Sequence, residues 1–161
     1  MPTIDLEKYP KIAQMDPRNG CIPVNIENAL KYYGENNYCE AKFLWFFVGW
    51  DMRPNFDKST PILNSVLHAF EFIFKGKRDF EHSIDNMIKY LKENIDDQIP
   101  VLVSFEAGGG AHIRTLIEYN ESEFIFFDPA DCRFKRFNYL TDQFKKALRA
   151  DYHTLVIKPR K

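Results

Sequence analysis

The sequence predicts an α+β fold, with helices from the first half packed on an antiparallel sheet from the second. Three observations carry this. Apolar residues recur at helical spacing in the first half, and become short apolar runs from residue 99 onward. Those runs are separated by short turns, which suit a meander. Hydrophobic residues make up 45% of the chain and aromatic residues 16%, with fifteen Phe, enough for one packed interior. The 161 residues suit a single domain spanning 1–161, and no internal repeat or linker divides them.

The helices come first. Residues 23–33 place Ile26, Ala29, Leu30 and Tyr33 on one face, with Pro23 at the start and Gly34 as the stop. Residues 41–50 read as a buried helix. After the loop "DMRPNFDKST", Thr60 is an N-cap before Pro61, and a helix is expected to run to about Phe74. "GKRD" interrupts the chain. Residues 80–95 then align Ile84, Met87, Ile88, Leu91 and Ile95 on one stripe.

Strands follow. Residues 99–107, "IPVLVSFEA", read as a buried strand, and Gly108, Gly109 and Gly110 as a flexible loop beside it. Residues 111–119 and 123–129 are strands joined by the turn "NESE". "CRFKRF", 132–137, alternates like a solvated edge strand whose charges discourage edge pairing. Residues 140–149 read as a helix and 152–159 as a closing strand.

Composition excludes several functions. A formal net charge of −1 leaves no footprint for nucleic acid or an anionic membrane surface. The N-terminus has no apolar stretch of signal-peptide length, and the most apolar run, "FLWFFVGW" at 43–50, is too short to span a bilayer. A cytoplasmic chain is expected. The cysteines, Cys21, Cys39 and Cys132, form no CxxC pair, so neither a disulfide framework nor a zinc ribbon is expected. His68, His82 and His153 show no ligand spacing, and no metal or cofactor is expected.

One constellation can carry chemistry. Cys21 precedes a helix, where a thiolate is most easily made. His112 opens a strand, and Asp128 ends the strand that should pair with it, so both fall at one edge of the sheet. A thiol, an imidazole and an acid far apart in sequence form the arrangement of a thiol-protease site. Each residue also has an ordinary structural alternative. Cys21 can be a buried thiol, His112 an exposed strand-edge histidine and Asp128 the initiator of an Asp-Pro turn.

The local sequences add to this. "IAQMDPRNGCIPVNIENALKYYG" resembles the nucleophile segment of the C39-like cysteine peptidases, a branch of the papain-like superfamily. Gln14, Cys21, Pro23 and "KYYG" fill its pattern. "PVLVSFEAGGGAHIRTLIEYNESEFIFFDPADCRFKRFNYLTDQFKKAL" resembles the family's second block, with His112, Asp128, Pro129 and Phe144 in place. Residues 35–98 carry no motif of the family.

The resemblance implies a papain-like fold, with Cys21 as nucleophile, His112 as general base and Asp128 as the group orienting it. It also implies Gln14 as a side-chain donor to the oxyanion, with Asn19 as the competing amide. The expected substrate is a peptide or protein, cleaved through a thioester acyl-enzyme; oligomeric state is left open. The chain departs from the pattern at three places. One extra residue separates Gln14 from Cys21, Gly20-Cys21-Ile22 replaces Asp-Cys-Gly, and Ala111 rather than Gly precedes His112. Acyl transfer by the same residues, of transglutaminase type, and an inactive binding module are the alternatives.

Overall fold

The computed structural model describes residues 4–15, 21–38, 56–107, 110–149 and 152–160. Among them are α1 (Cys21–Tyr32), α2 (Phe56–Val66), β1 (Phe70–Lys75), α3 (Ile84–Asp96), β2 (Val101–Ala107), β3 (Gly110–Tyr119), β4 (Glu123–Asp128), β5 (Arg133–Asn138), α4 (Asp142–Arg149) and β6 (Thr154–Pro159). The helix expected over 41–50 lies outside the described residues.

Helix α1 begins at Cys21, before Pro23 rather than at it. Pro23 is tolerated there because the first N–H groups of a helix have no intrahelical acceptor. Gly34 ends the helix with φ +91°. Its N–H donates to Lys31 O at 2.9 Å and that of Glu35 to Leu30 O at 2.9 Å, the paired bonds of a Schellman stop.

The expected helix from Thr60 to Phe74 is corrected. Helix α2 starts at Phe56, holds Pro61 in its interior and ends at Val66. Residues 70–75 instead form strand β1. "FEFIFK" sets Phe at alternate positions, which is the period of a strand. Phe70 and Phe72 are buried while Glu71 between them is exposed. Asn64 of α2 clips this strand, donating to Phe72 O at 2.9 Å and accepting from Phe72 N–H at 2.8 Å.

Helix α3 is capped by Ser83, whose hydroxyl accepts from Asn86 N–H at 3.2 Å. Of the predicted stripe it buries Met87, Ile88, Leu91 and Ile95, with Ile84 half-buried at its start.

The six strands form one antiparallel sheet in the order β1-β6-β2-β3-β4-β5. As expected, β5 is an edge. The chain's last strand, β6, enters between β1 and β2. Helices cover both faces. Met87, Leu91 and Ile95 of α3 and Phe144 and Leu148 of α4 pack with Val101, Val103, Phe105, Leu116 and Phe126. Ile26 and Leu30 of α1 and Leu63 of α2 pack with Phe70, Phe72, Leu102, Ile113 and Leu155. Strand β2 is thus buried from both sides, which explains why "VLVSF" does not alternate with charged residues and holds a single small polar residue, Ser104.

Candidate active site

Two buried asparagines on α1 assemble the site. Asn25, one turn after Cys21, is fully buried. Its Nδ2 donates to Cys21 O at 2.6 Å and to Ile113 O at 3.0 Å. Its Oδ1 accepts from the Thr115 hydroxyl at 2.6 Å. The helix bearing Cys21 is therefore tied to β3 at Ile113 and Thr115, on either side of Arg114. Tyr9 is buried beside Thr115, and burial pushes its phenol well above the ordinary value.

Asn28, one turn further along α1, holds the N-terminal segment. It accepts from Ile12 N–H at 3.0 Å and donates to Ile12 O at 3.2 Å. Two residues on, Gln14 N–H donates to Pro129 O at 2.9 Å, next to Asp128. The reading of the sequence assigned neither asparagine a role. The available signal was two Asn one turn apart within a helix, where Asn is a poor former unless its amide is used.

The turn from β3 into β4 brings His112 and Asp128 together. The last register pair is Thr115↔Phe127. Beyond it, His112 Nε2 lies 2.7 Å from Asp128 Oδ1. Asp128 is 1% exposed, and both of its oxygens are fully engaged. Oδ1 also accepts Ala130 N–H at 2.9 Å. Oδ2 takes Arg114 Nε at 2.7 Å and Lys135 Nζ at 3.0 Å. The turn role and the partnership with His112 are thus held by one side chain at once.

Burial alone would raise the Asp128 carboxyl. The bonds from His112, Ala130, Lys135 and Arg114 outweigh it and hold the group well below the usual carboxylate range. Burial would lower the Lys135 ammonium, but Asp128 and Asp131, the latter at 3.0 Å, raise it. The His112 imidazole is raised to about 9, first by the bond to Asp128 and then by a hydrogen bond with the Cys21 side chain; burial and Arg114 oppose this. With Nε2 turned to the carboxylate, Nδ1 is the nitrogen left for the thiol. Such an imidazole can shuttle a proton to and from the sulfur without leaving its carboxylate.

Cys21, His112 and Asp128 are therefore brought together, with Gln14 half-buried beside the Asp128–Pro129 turn. Asn19, Cys39, Gly108 and Gly109 lie outside the described residues. Cys132 is exposed, and its thiol donates to Lys11 O at 2.9 Å.

The picture of "CRFKRF" as a purely solvated edge is corrected. Lys135 turns inward to Asp128 because β4 ends there and leaves its carboxylate within reach of the neighbouring strand. Arg114 was also missed, although alternation places it on the face of His112, two residues away. Among the described residues no group of three His, Cys, Asp or Glu side chains could hold a metal, and no helix is long and apolar enough to cross a membrane.

The fold is that of a known class of structure. A crystal structure of a candidate C39-like peptidase from Bacillus anthracis superposes with a TM-score of 0.66, covering 99% of this chain and 98% of the other at 12% identity. At that identity the likeness concerns the fold. The sequence goes further: the model of the Peptidase_C39 like family matches residues 6–156, and the chain belongs to that family. No curated protein matches the chain.

Proposed function

We propose that the chain is a cysteine peptidase of papain-like fold, working as one domain over residues 1–161 without a cofactor. It would cleave a peptide or amide bond of a peptide or protein substrate. The observation that carries this reading is the 2.7 Å contact between His112 Nε2 and Asp128 Oδ1, on an imidazole that the Cys21 side chain also influences. Membership of a peptidase family supports the same chemistry.

In the mechanism, Cys21 Sγ attacks the substrate carbonyl carbon and the C=O π electrons move onto oxygen. The oxyanion is received by the Cys21 N–H at the start of α1 and by an amide side chain, Gln14 or Asn19. The tetrahedral adduct collapses, the C–N bond breaks, and the amine leaves with the proton held by His112. Water then attacks the thioester as His112 takes its proton. The second tetrahedral adduct collapses, the C–S bond breaks, the acid product departs and His112 returns the proton to the Cys21 sulfur. Asp128 stays ionised throughout and fixes the imidazole plane.

The test is labelling by a dilute cysteine-directed alkylator, read by mass spectrometry. Faster modification of Cys21 than of Cys39 and Cys132, lost in His112→Ala, is expected. Slow and equal labelling of all three would remove the reading.

A further inference from the structure

A cavity of about 410 Å³ opens beside the site, on the face of the sheet that carries His112. Phe105, directly opposite His112 in the β2–β3 register, forms its inner wall together with Arg114. Phe137 of β5 and Phe144 and Ala147 of α4 complete the apolar lining. The three rings form one cluster, with centroids 5.6 to 6.0 Å apart.

Arg114 is clamped within this cluster, its guanidinium carbon 4.8 Å from the Phe105 centroid and 5.4 Å from that of Phe137. Only 15% of its side chain is exposed. Its Nε is committed to Asp128, and the remaining guanidinium N–H groups have no partner among the described residues. A held arginine fork with free donors, set in an aromatic wall, is matched by a carboxylate, which accepts the planar donors of a guanidinium. Two other charged residues reach the lining. Arg136 is exposed and lies 3.7 Å from Glu123, and Glu106, exposed at the end of β2, pairs with neither arginine.

We propose that this cavity is a substrate subsite for a carboxylate carried on an apolar stem, with the carboxylate on the free donors of Arg114 and the stem among Phe105, Phe137 and Phe144. Its role as a substrate subsite rests on the peptidase reading, while the binding chemistry does not. The carboxylate can come from an acidic side chain near the scissile bond or from a peptide's free C-terminus. Arg114 also touches Asp128, so an occupant would sit two residues along β3 from His112.

The binding test uses the full chain carrying Cys21→Ser, titrated with hydrocinnamate and separately with its primary amide, and followed by NMR including the arginine Nε–H signals. The acid should bind at least about tenfold more tightly than the amide, the scale of one lost charge-assisted bond. Ala147→Phe, which fills the cavity away from Asp128, should abolish binding. Arg114→Lys, which keeps the charge but loses the fork, should weaken it. Equal binding of acid and amide, binding of neither, or acid binding that survives Ala147→Phe would overturn the proposal; the acid–amide contrast requires no lining variant to fold.

Peptides with free or amidated C-termini, and with internal Glu or Gln, then separate the two sources when incubated with the unsubstituted protein. Faster cleavage of the free acid or of the Glu peptide identifies the source, and equal cleavage of all four overturns the subsite role. If none is cleaved while hydrocinnamate binding stands, it is the peptidase reading that fails.

Discussion

Arg114 Nε donates to Asp128 Oδ2 across 2.7 Å, while the other oxygen of the same carboxylate faces His112 Nε2, also at 2.7 Å. The acid partner of the imidazole is therefore held from behind by a cation. A buried carboxylate supported in this way cannot rotate off the imidazole without leaving the Arg114 guanidinium unneutralised. The arrangement keeps Asp128 charged and immobile, as the proposed orienting role requires.

Asp128→Asn should accordingly cost more than one hydrogen bond. It removes the negative charge that Arg114 and His112 share, and places an amide N–H₂ toward donors. A loss of about 3–5 kcal/mol in unfolding free energy is expected, as for breaking a buried ion pair, measured by urea denaturation at neutral pH. In the unsubstituted protein the Asp128 carboxyl is depressed. Its stabilisation is therefore present above the ordinary carboxylate range and fades as pH falls below it, and the variant should lack this acid-side decline.

At alkaline pH the sign reverses, because His112 is raised from 6.5 to about 9. A raised imidazole stabilises the fold fully below its unfolded value and loses that contribution as pH rises through the folded value. Stability should thus fall between about pH 6.5 and about pH 9, by on the order of 3 kcal/mol at 1.36 kcal/mol per pKa unit. Denaturation midpoints across this range, with the imidazole proton shifts of His112, check it. A His112 midpoint near 6.5 in the NMR titration would contradict the arrangement.

Gly34→Ala tests the stop of α1 alone. The residue has φ +91°, and a Cβ built there meets nothing within 4 Å, so the cost is backbone strain without a clash. A loss of about 1 kcal/mol is expected, seen as a lower Tm, with Cys21 labelling unchanged.

Where one local period ruled, the sequence was transparent. The stripe of α3, the Gly34 stop and the run "VLVSF" follow from spacing and from burial on one or two faces. His112 and Asp128 were predictable as neighbours because a short turn joins their strands. Residues 70–75 were misread because Phe at 70, 72 and 74 was taken into the helix that precedes it, while the strand is made by pairing with β6, more than seventy residues away. Lys135 and Asn25 were opaque for a related reason. Lys135 reads as a solvated charge until β4 is known to end beside it, and Asn25 reads as a weak helix residue until β3 supplies the partners for its amide.

Asn25 also offers the sharpest test of how the two halves are joined. Its amide satisfies two carbonyls and one hydroxyl in a buried place, so replacements separate packing from polarity. Asn25→Leu keeps the branched shape in a larger side chain and removes the bonds. Ile113 O and the Thr115 hydroxyl lose that partner, and a loss of about 2 kcal/mol is expected. Asn25→Asp keeps the acceptor for Thr115 but aims a buried charge at the Cys21 and Ile113 carbonyls, so it should be less stable than the leucine variant. Thr115→Val removes one bond and should cost less than either. If the amide also sets the distance between the thiol and imidazole, Cys21 alkylation in the folded leucine variant should slow by about tenfold, which is about 1.4 kcal/mol of lost positioning. Stability in the order Asn, Leu, Asp together with slowed labelling would establish the bridge between α1 and β3. An aspartate variant as stable as the wild type would show that this contact does not hold the site.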